Sequence, residues 1–222
     1  FSTSSMRASI ESGDREGWGD LRLPTIQSLR RRGFDARALR NFWVDLGVTQ
    51  KDISVSMQTI ESLNSSALDA TVERRSFVAS PVGLDLDGYD GAVVEPPRHP
   101  DGEISGTRSW VMAKSIYIQE ADCGSGSLRL KEFADISISG SNITIDSLER
   151  SDNRPIVQWL PESMVREAVL FVPNGDEIDV IEGLLEDFEL KVGNVYQLER
   201  IGFAMLEKMS DDCPAELVWL HG

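Results

Sequence analysis

Gly17-Trp18-Gly19-Asp20-Leu21-Arg22-Leu23-Pro24-Thr25-Ile26-Gln27-Ser28-Leu29-Arg30-Arg31-Arg32-Gly33 reads as a loop followed by a punctuated helix. Pro24 suits a first helical turn, where the N–H that proline lacks has no intrahelical acceptor. Ile26 and Leu29 are three apart and share a face. Arg30, Arg31 and Arg32 load the last turn, where cations complement the helix dipole. Gly33 can adopt the left-handed conformation that stops a helix. Taken alone, the stretch is a capped amphipathic helix with a basic, solvated end.

Helical spacing continues on both sides. Asp35 is a candidate N-cap for a helix carrying Ala36, Leu39, Phe42, Trp43 and Leu46, with Gly47 as its stop. The Phe42/Trp43 pair reads as core. Thr49-Gln50-Lys51-Asp52 resembles a capping box opening a third helix, with Ile53, Met57, Ile60 and Leu63 on one face and Asn64-Ser65-Ser66 as its break. Upstream, Phe1-Ser2-Thr3-Ser4-Ser5-Met6-Arg7 reads as a Ser-rich terminal loop. Residues 1–66 are therefore expected to form a small all-helical unit.

Beyond residue 66 the apolar period drops to two. Phe77 and Ala79 alternate before Pro81, and Val82, Leu84 and Leu86 alternate after it. Asp87-Gly88 and Asp90-Gly91 are turn dipeptides, and Ala92-Val93-Val94 is a strand ended by Pro96-Pro97. Further strands are expected at 107–113, 115–118, 128–130, 136–138, 143–145, 153–160, 168–173 and 194–206. Short strands between Gly, Asp and Asn turns suggest a barrel or a sandwich. Residues 178–188, with Val180, Leu184, Leu185 and Phe188 at helical spacing, predict a helix.

The bulk composition bounds the class of protein. A chain of 222 residues, 41% hydrophobic and 27% charged, is long enough for one large or two small cores. No apolar run approaches the roughly 18 residues needed to cross a membrane, and no signal peptide is evident. The chain begins at Phe1 within a polar segment, so it is expected to be part of something longer. Cys123 and Cys213 fit no metal-ligand spacing, and with His99 and His221 as the only histidines no metal site is expected. Unclustered thiols suit a reducing cytoplasm. The net charge of −15 argues against nucleic acid, which needs a positive footprint. Residues 1–50 nevertheless carry +2 and the remainder −17. A few local arginines decide contact, while net charge mainly sets solubility and steering.

The order of letters carries more than the composition. G-W-x-D-x-R-x-P-T-x-x-x-L-R-R-R-G (17–33), followed by an aromatic and a second helix, resembles class I glutamyl-/glutaminyl-tRNA synthetases of the archaeal and eukaryotic type. In that family it lies in the helical subdomain between the catalytic fold and the anticodon-binding barrels. Ser2-Thr3-Ser4-Ser5-Met6 is similar to the S-T-S-K-M loop that archaeal glutamyl enzymes use as second ATP signature, with Ser5 where the family has lysine. E-R-R-S-F-V-A-S-P-V (73–82) resembles the first strand of the proximal barrel. Glu95-Pro96-Pro97-Arg98-His99-Pro100 with Gly106-Thr107-Arg108 resembles its H-P…G-x-R loop, residues 116–122 its I-x-I-x-x-x-D strand, and 197–203 its Q-x-E-R-x-G-aromatic strand. The implied fold class is multidomain α and β, a small helical subdomain followed by two mainly antiparallel β-barrels. The implied division is 1–66 for the signature loop and helical subdomain, 67–113 plus 196–222 for the proximal barrel, and 114–195 for the distal barrel.

The resemblance also implies site residues. Reading an anticodon means holding unstacked bases by hydrogen bonds to their edges, for which arginine's planar fork is well suited. Arg74, Arg129, Lys131, Gln197 and Arg200 correspond to family positions that contact the anticodon. In a β-strand Arg129 and Lys131 share one face. Arg30, Arg31 and Arg32 are candidates either for the inside corner of the tRNA or for acids of a catalytic domain. His99, between prolines, reads as a turn residue. Read without the resemblance, all these cations are ordinary solvated charges.

The implied function is the tRNA-binding portion of a glutamyl-tRNA synthetase, whose full-length form ligates glutamate to tRNA using ATP and Mg. This chain lacks the nucleotide-binding fold with its H-I-G-H signature, so no catalytic residue and no cofactor are expected in it. Its expected partners are tRNA-Glu, with tRNA-Gln as a second candidate, and a catalytic domain in cis. A cytoplasmic monomer with no membrane contact is expected. Two rivals stand beside this reading. One is the same region of a glutaminyl-tRNA synthetase, against which S-T-S-S speaks. The other is a non-catalytic, acidic protein-interaction module, supported by the −17 of residues 51–222.

Overall fold

The computed structural model describes residues 2–47, 54–101, 104–151 and 153–222. Four helices come first: α1 (Thr3–Glu11), α2 (Ile26–Arg32), α3 (Ala36–Leu46) and α4 (Met57–Leu68). Strands follow as β1 (Arg74–Arg75), β2 (Phe77–Ala79), β3 (Pro81–Asp85), β4 (Val93–Val94), β5 (Trp110–Val111), β6 (Ser115–Gln119), β7 (Ser127–Leu130) and β8 (Asp135–Ser139). The remainder are β9 (Asn142–Ser147), β10 (Ile156–Val157), β11 (Trp159–Pro161), β12 (Val165–Asn174), β13 (Glu177–Glu186), β14 (Val195–Leu198), β15 (Gly202–Lys208) and β16 (Ala215–His221). The fold class is a small helical part followed by two curled, barrel-like sheets.

Local chemistry explains the helix ends. Thr25 caps α2 by accepting from the Ser28 N–H, which leaves Pro24 outside the helix instead of in its first turn. Gly33 stops α2 at φ +98°, as expected. A Cβ there would also lie 2.7 Å from Val195 Cγ2, so the position requires glycine for packing as well. Asp35 caps α3 through the N–H groups of Arg37 and Ala38. Phe42 is buried, whereas Trp43 is 57% exposed and stands edge-on to it.

Several expectations are corrected. Residues 3–11 are helical instead of a loop, because Ser2 and Ser5 form a reciprocal capping box. The capping box expected at 49–52 lies outside the described residues, as does Phe1. Asn64-Ser65-Ser66 does not end α4, which runs to Leu68. Asn64 is buried there, accepting the Asp35 N–H and contacting His221. Residues 178–188 are not helical: β13 pairs over ten residues with β12 around Asn174-Gly175-Asp176, where Gly175 sits at φ +61°. Val180 and Leu184 lie on one face and Ile181 and Leu185 on the other, so apolar residues on both faces blurred the period of two. The strand expected at 107–113 is reduced to β5, and the one at 194–206 is split by the turn at 199–201.

The first sheet has the order β1-β14-β15-β16-β12-β13-β2 and the second β10-β7-β8-β9-β3-β6-β11, with β4-β5 a separate ribbon. Strand membership therefore departs from the division expected from sequence. The chain leaves the first sheet at Ser80, whose φ of +44° turns β2 into β3, and returns to it after β11. Strands β12 and β13, expected in the distal barrel, complete the first sheet. Trp110 and Trp159 are buried in the second sheet's core, edge to face at 5.1 Å, and the half-buried Phe133 packs against Trp159. Leu170, Leu185, Leu198, Leu206 and Leu217 fill the first.

A third cluster, with Leu29, Phe34, Leu68, Phe203 and Leu220, fastens the helices to β15 and β16. Arg32 is buried within it. Its guanidinium donates to the carbonyls of Trp219 and Leu220, lies 3.5 Å from Glu61 and covers the Phe34 ring at 5.2 Å. Arg31 pairs with Glu207 of β15. At the other end of the helical part, Arg15 and Arg22 hold Asp176 at the tip of the β12–β13 hairpin.

Candidate nucleic-acid interface

The parallel pairing of β1 with β14 places Arg74 opposite Gln197. Arg74 Nε donates to Gln197 Oε1 at 2.9 Å. Among the described residues this is the one protein hydrogen bond of either side chain, so both terminal guanidinium nitrogens and the Gln197 amide nitrogen stay available as donors. They line a cleft of about 600 Å³ where the two sheets meet. Lys131, Ile156, Gln158, Glu199 and Arg200 line it too, so four of the five residues implied by the resemblance converge here.

Arg129 does not join them. β7 ends at Leu130, and Lys131 opens a turn in which Glu132 has φ +59°. The two basic side chains therefore part: Lys131 reaches Glu199, whereas Arg129 donates to Asp135 and to the Leu148 carbonyl, each at 3.1 Å. Hydrogen bonds from Ser151 come first, and Arg129 second, in holding the Asp135 carboxyl well below the usual range.

Beneath the cleft lies a buried polar network. Arg108 donates to Glu186 at 2.5 Å and to Glu199 at 3.4 Å, and Trp110 Nε1 donates to Glu186 at 2.7 Å. Gln158 bridges onward, accepting from the Ser76 hydroxyl at 3.0 Å and donating to Glu199 at 2.6 Å. Burial pushes the Glu199 carboxyl up, but Lys131, Arg108 and Gln158 more than offset this and leave it lowered. The network thus fixes Glu199 as an anion under the cleft floor. Gln158 and Arg108 had no local signal marking them as neighbours, because their partners come from distant strands.

The remaining candidates sit elsewhere. Arg31 and Arg32 face protein, and of the three only Arg30 is exposed. Ser2, Ser4 and Ser5 are engaged with one another at the start of α1. His99 is buried in its turn and accepts the Asp101 N–H at 3.2 Å. A larger concavity of about 800 Å³ crosses β12 and β13, but its lining holds Glu167 and Glu182 and no Lys or Arg. A polyanion has nothing to bind there. The cleft at Arg74 falls within the roughly 300–1,000 Å³ typical of ligand sites and presents unpaired planar donors.

Residues 72–158 match the family of tRNA synthetases class I (E and Q), anti-codon binding domain. Residues 72–158 thus belong to this family of anticodon-binding domains. The chain's whole length is similar to archaeal glutamate–tRNA ligases, 34% identical over 232 residues to that of Methanospirillum hungatei and 36% over 228 to that of Methanobrevibacter smithii. With the Pyrococcus abyssi ligase it shares 32% identity across 96% of this chain. The chain spans about two fifths of the length of these curated relatives. Among the described residues no helix is long and apolar enough to cross a membrane.

Proposed function

We propose that this chain binds the anticodon of tRNA-Glu as part of a glutamate–tRNA ligase. The observation that carries the reading is the convergence of Arg74, Gln197, Lys131 and Arg200 on one cleft between the sheets. Arg74 and Gln197 offer donors for the edge or phosphate of a splayed nucleotide, and Lys131 and Arg200 supply charge. The relatives' name favours glutamate over glutamine as the amino acid of the parent enzyme. Ligation would use ATP and Mg in a catalytic domain joined in cis, with Ser2, Thr3, Ser4 and Ser5 nearest to it. Arg30, exposed at the end of α2, is the candidate for a contact at the inside corner of the tRNA. The working division is a helical unit and two barrels, in a cytoplasmic monomer.

Titration of the chain with tRNA-Glu, tRNA-Gln and an anticodon-substituted tRNA-Glu at two salt concentrations tests this. Binding that weakens on anticodon substitution, and falls with rising salt, is the expected result. Equal binding of all three would overturn anticodon recognition. Comparable binding of tRNA-Glu and tRNA-Gln alone would assign a parent that does not discriminate between them.

A further inference from the structure

Glu199 and Arg200 are neighbours in the turn between β14 and β15, and each reaches across to the other sheet. Glu199 takes Lys131 from the second sheet. Arg200 donates to Asp122, just beyond β6 of the second sheet, Nη1 to Oδ2 at 2.8 Å and Nη2 to Oδ1 at 3.4 Å. Asp122 lies in the 3-10 turn Glu120–Ser125 that follows β6. The Arg200 backbone, at φ +67°, projects this side chain from the tight turn. Its side chain is 51% exposed, against 14% for that of Asp122. The carboxylate is thus the anchored partner and the guanidinium the accessible one.

This arrangement has a chemical consequence. A free guanidinium at the rim would attract any phosphate, and such contacts supply affinity without sequence information. The fork-to-carboxylate pairing occupies the same planar donor edge that a phosphate would use. A pair this exposed is weak, so a ligand already held elsewhere in the cleft can displace it.

We propose that Asp122 is a positioning and specificity residue. It keeps Arg200 occupied against a bare nucleic-acid backbone and yields it only to a ligand that also engages Arg74, Gln197 and Lys131. The inference rests on the anticodon-binding reading.

The test compares wild type with Asp122→Asn, measuring affinity for a tRNA-Glu transcript and for an anticodon-substituted transcript across a salt series. Asp122→Asn is expected to tighten binding of the substituted transcript about threefold to tenfold and that of the cognate transcript less, so that discrimination falls. The slope of log affinity on log salt for the substituted transcript should steepen by about one. Asp122→Glu should keep the wild-type ratio. Thermal melting checks that each variant folds, and Asp122→Ser takes over the comparison if the Asn variant does not. An unchanged ratio in folded variants, or equal loss for both transcripts, would overturn the role of Asp122. A wild-type chain that fails to distinguish the transcripts would instead overturn the anticodon reading itself.

Discussion

Arg74 and Gln197, 123 residues apart, stand opposite each other across β1 and β14 and share a hydrogen bond of 2.9 Å. The bond uses Nε alone, which orients the guanidinium while leaving its outer edge free. Replacing Arg74 by Ala should therefore cost roughly 1–3 kcal/mol of tRNA-Glu affinity, about 5-fold to 150-fold. Arg129→Ala should change it less than about twofold, since Arg129 is tied to Asp135. Fluorescence anisotropy with labelled tRNA measures both. Equal losses in the two variants would refute the cleft as the binding site.

Arg30 and Arg32 are two positions apart but do opposite things. Arg32→Ala strips the Trp219 and Leu220 carbonyls of their buried donor, and is expected to cost about 2–4 kcal/mol of stability in urea unfolding. Arg30→Ala, on the exposed side, should stay within about 0.5 kcal/mol and act, if at all, on RNA affinity. A stable Arg32→Ala variant would show that the helical part is held by its apolar cluster alone.

Gly33 combines φ +98° with the close approach of Val195 and Met205. Gly33→Ala meets both the left-handed penalty of roughly 1–2 kcal/mol and an overpacking cost of about 1–3 kcal/mol. The midpoint of urea denaturation should fall accordingly. A loss below about 1 kcal/mol would mean that β15 and the end of α2 can shift apart freely.

His221 ties the helices to the last strand. Its Nε2 lies 2.8 Å from Asn64 Nδ2, and its ring packs against Phe34 and Phe203. Burial, and secondarily the charge of Arg32, lower its pKa from 6.5 to about 4. The unfolded histidine takes a proton near 6.5 and the folded one only near 4, so stability drops as the pH falls through that window. A loss of about 1–2 kcal/mol between pH 7 and pH 5 is expected. The lowered carboxyls Asp20, Glu73 and Glu199 add their own losses only below about pH 4.5. His221→Gln, which keeps an acceptor for Asn64, should flatten the slope above pH 5. An unaltered slope would assign the effect to other groups.

Much of this architecture was readable from residues in order. Gly33 and Asp35 act within a turn of where they stand, so the end of α2 and the start of α3 followed from local rules, whereas the Thr25 cap sets the start of α2 one residue beyond the Pro24 that was read into its first turn. Most strands likewise appeared as alternation between Gly and Asp turns. The failures share a cause. In β13 apolar residues stand on both faces, Val180 and Leu184 on one and Ile181 and Leu185 on the other, so alternation vanished and chance i, i+4 spacing read as helix. Asn64 looked like a helix breaker because its partners, the Asp35 N–H and His221, come from elsewhere in the fold. Of the cleft, Arg74, Lys131, Gln197 and Arg200 were singled out by resemblance, while Gln158, Arg108 and Asp122 were not assigned roles.

What the sequence by itself determined is the backbone punctuation, the period of each segment and the motif by which the chain resembles the synthetases. Those properties depend on φ preferences, caps and the spacing of apolar residues, all of which act within a few positions. Only the tertiary structure decided what each charge does. Arg32 became a buried tie and Arg30 a free cation, and Lys131 turned to the cleft while Arg129 turned away. Ser80 sent the chain into a second sheet, so that Arg200 meets Asp122 and Glu199 meets Lys131. A charged side chain is defined by the group opposite it, and that group is chosen by strand pairing across more than a hundred residues for Arg74 and Gln197.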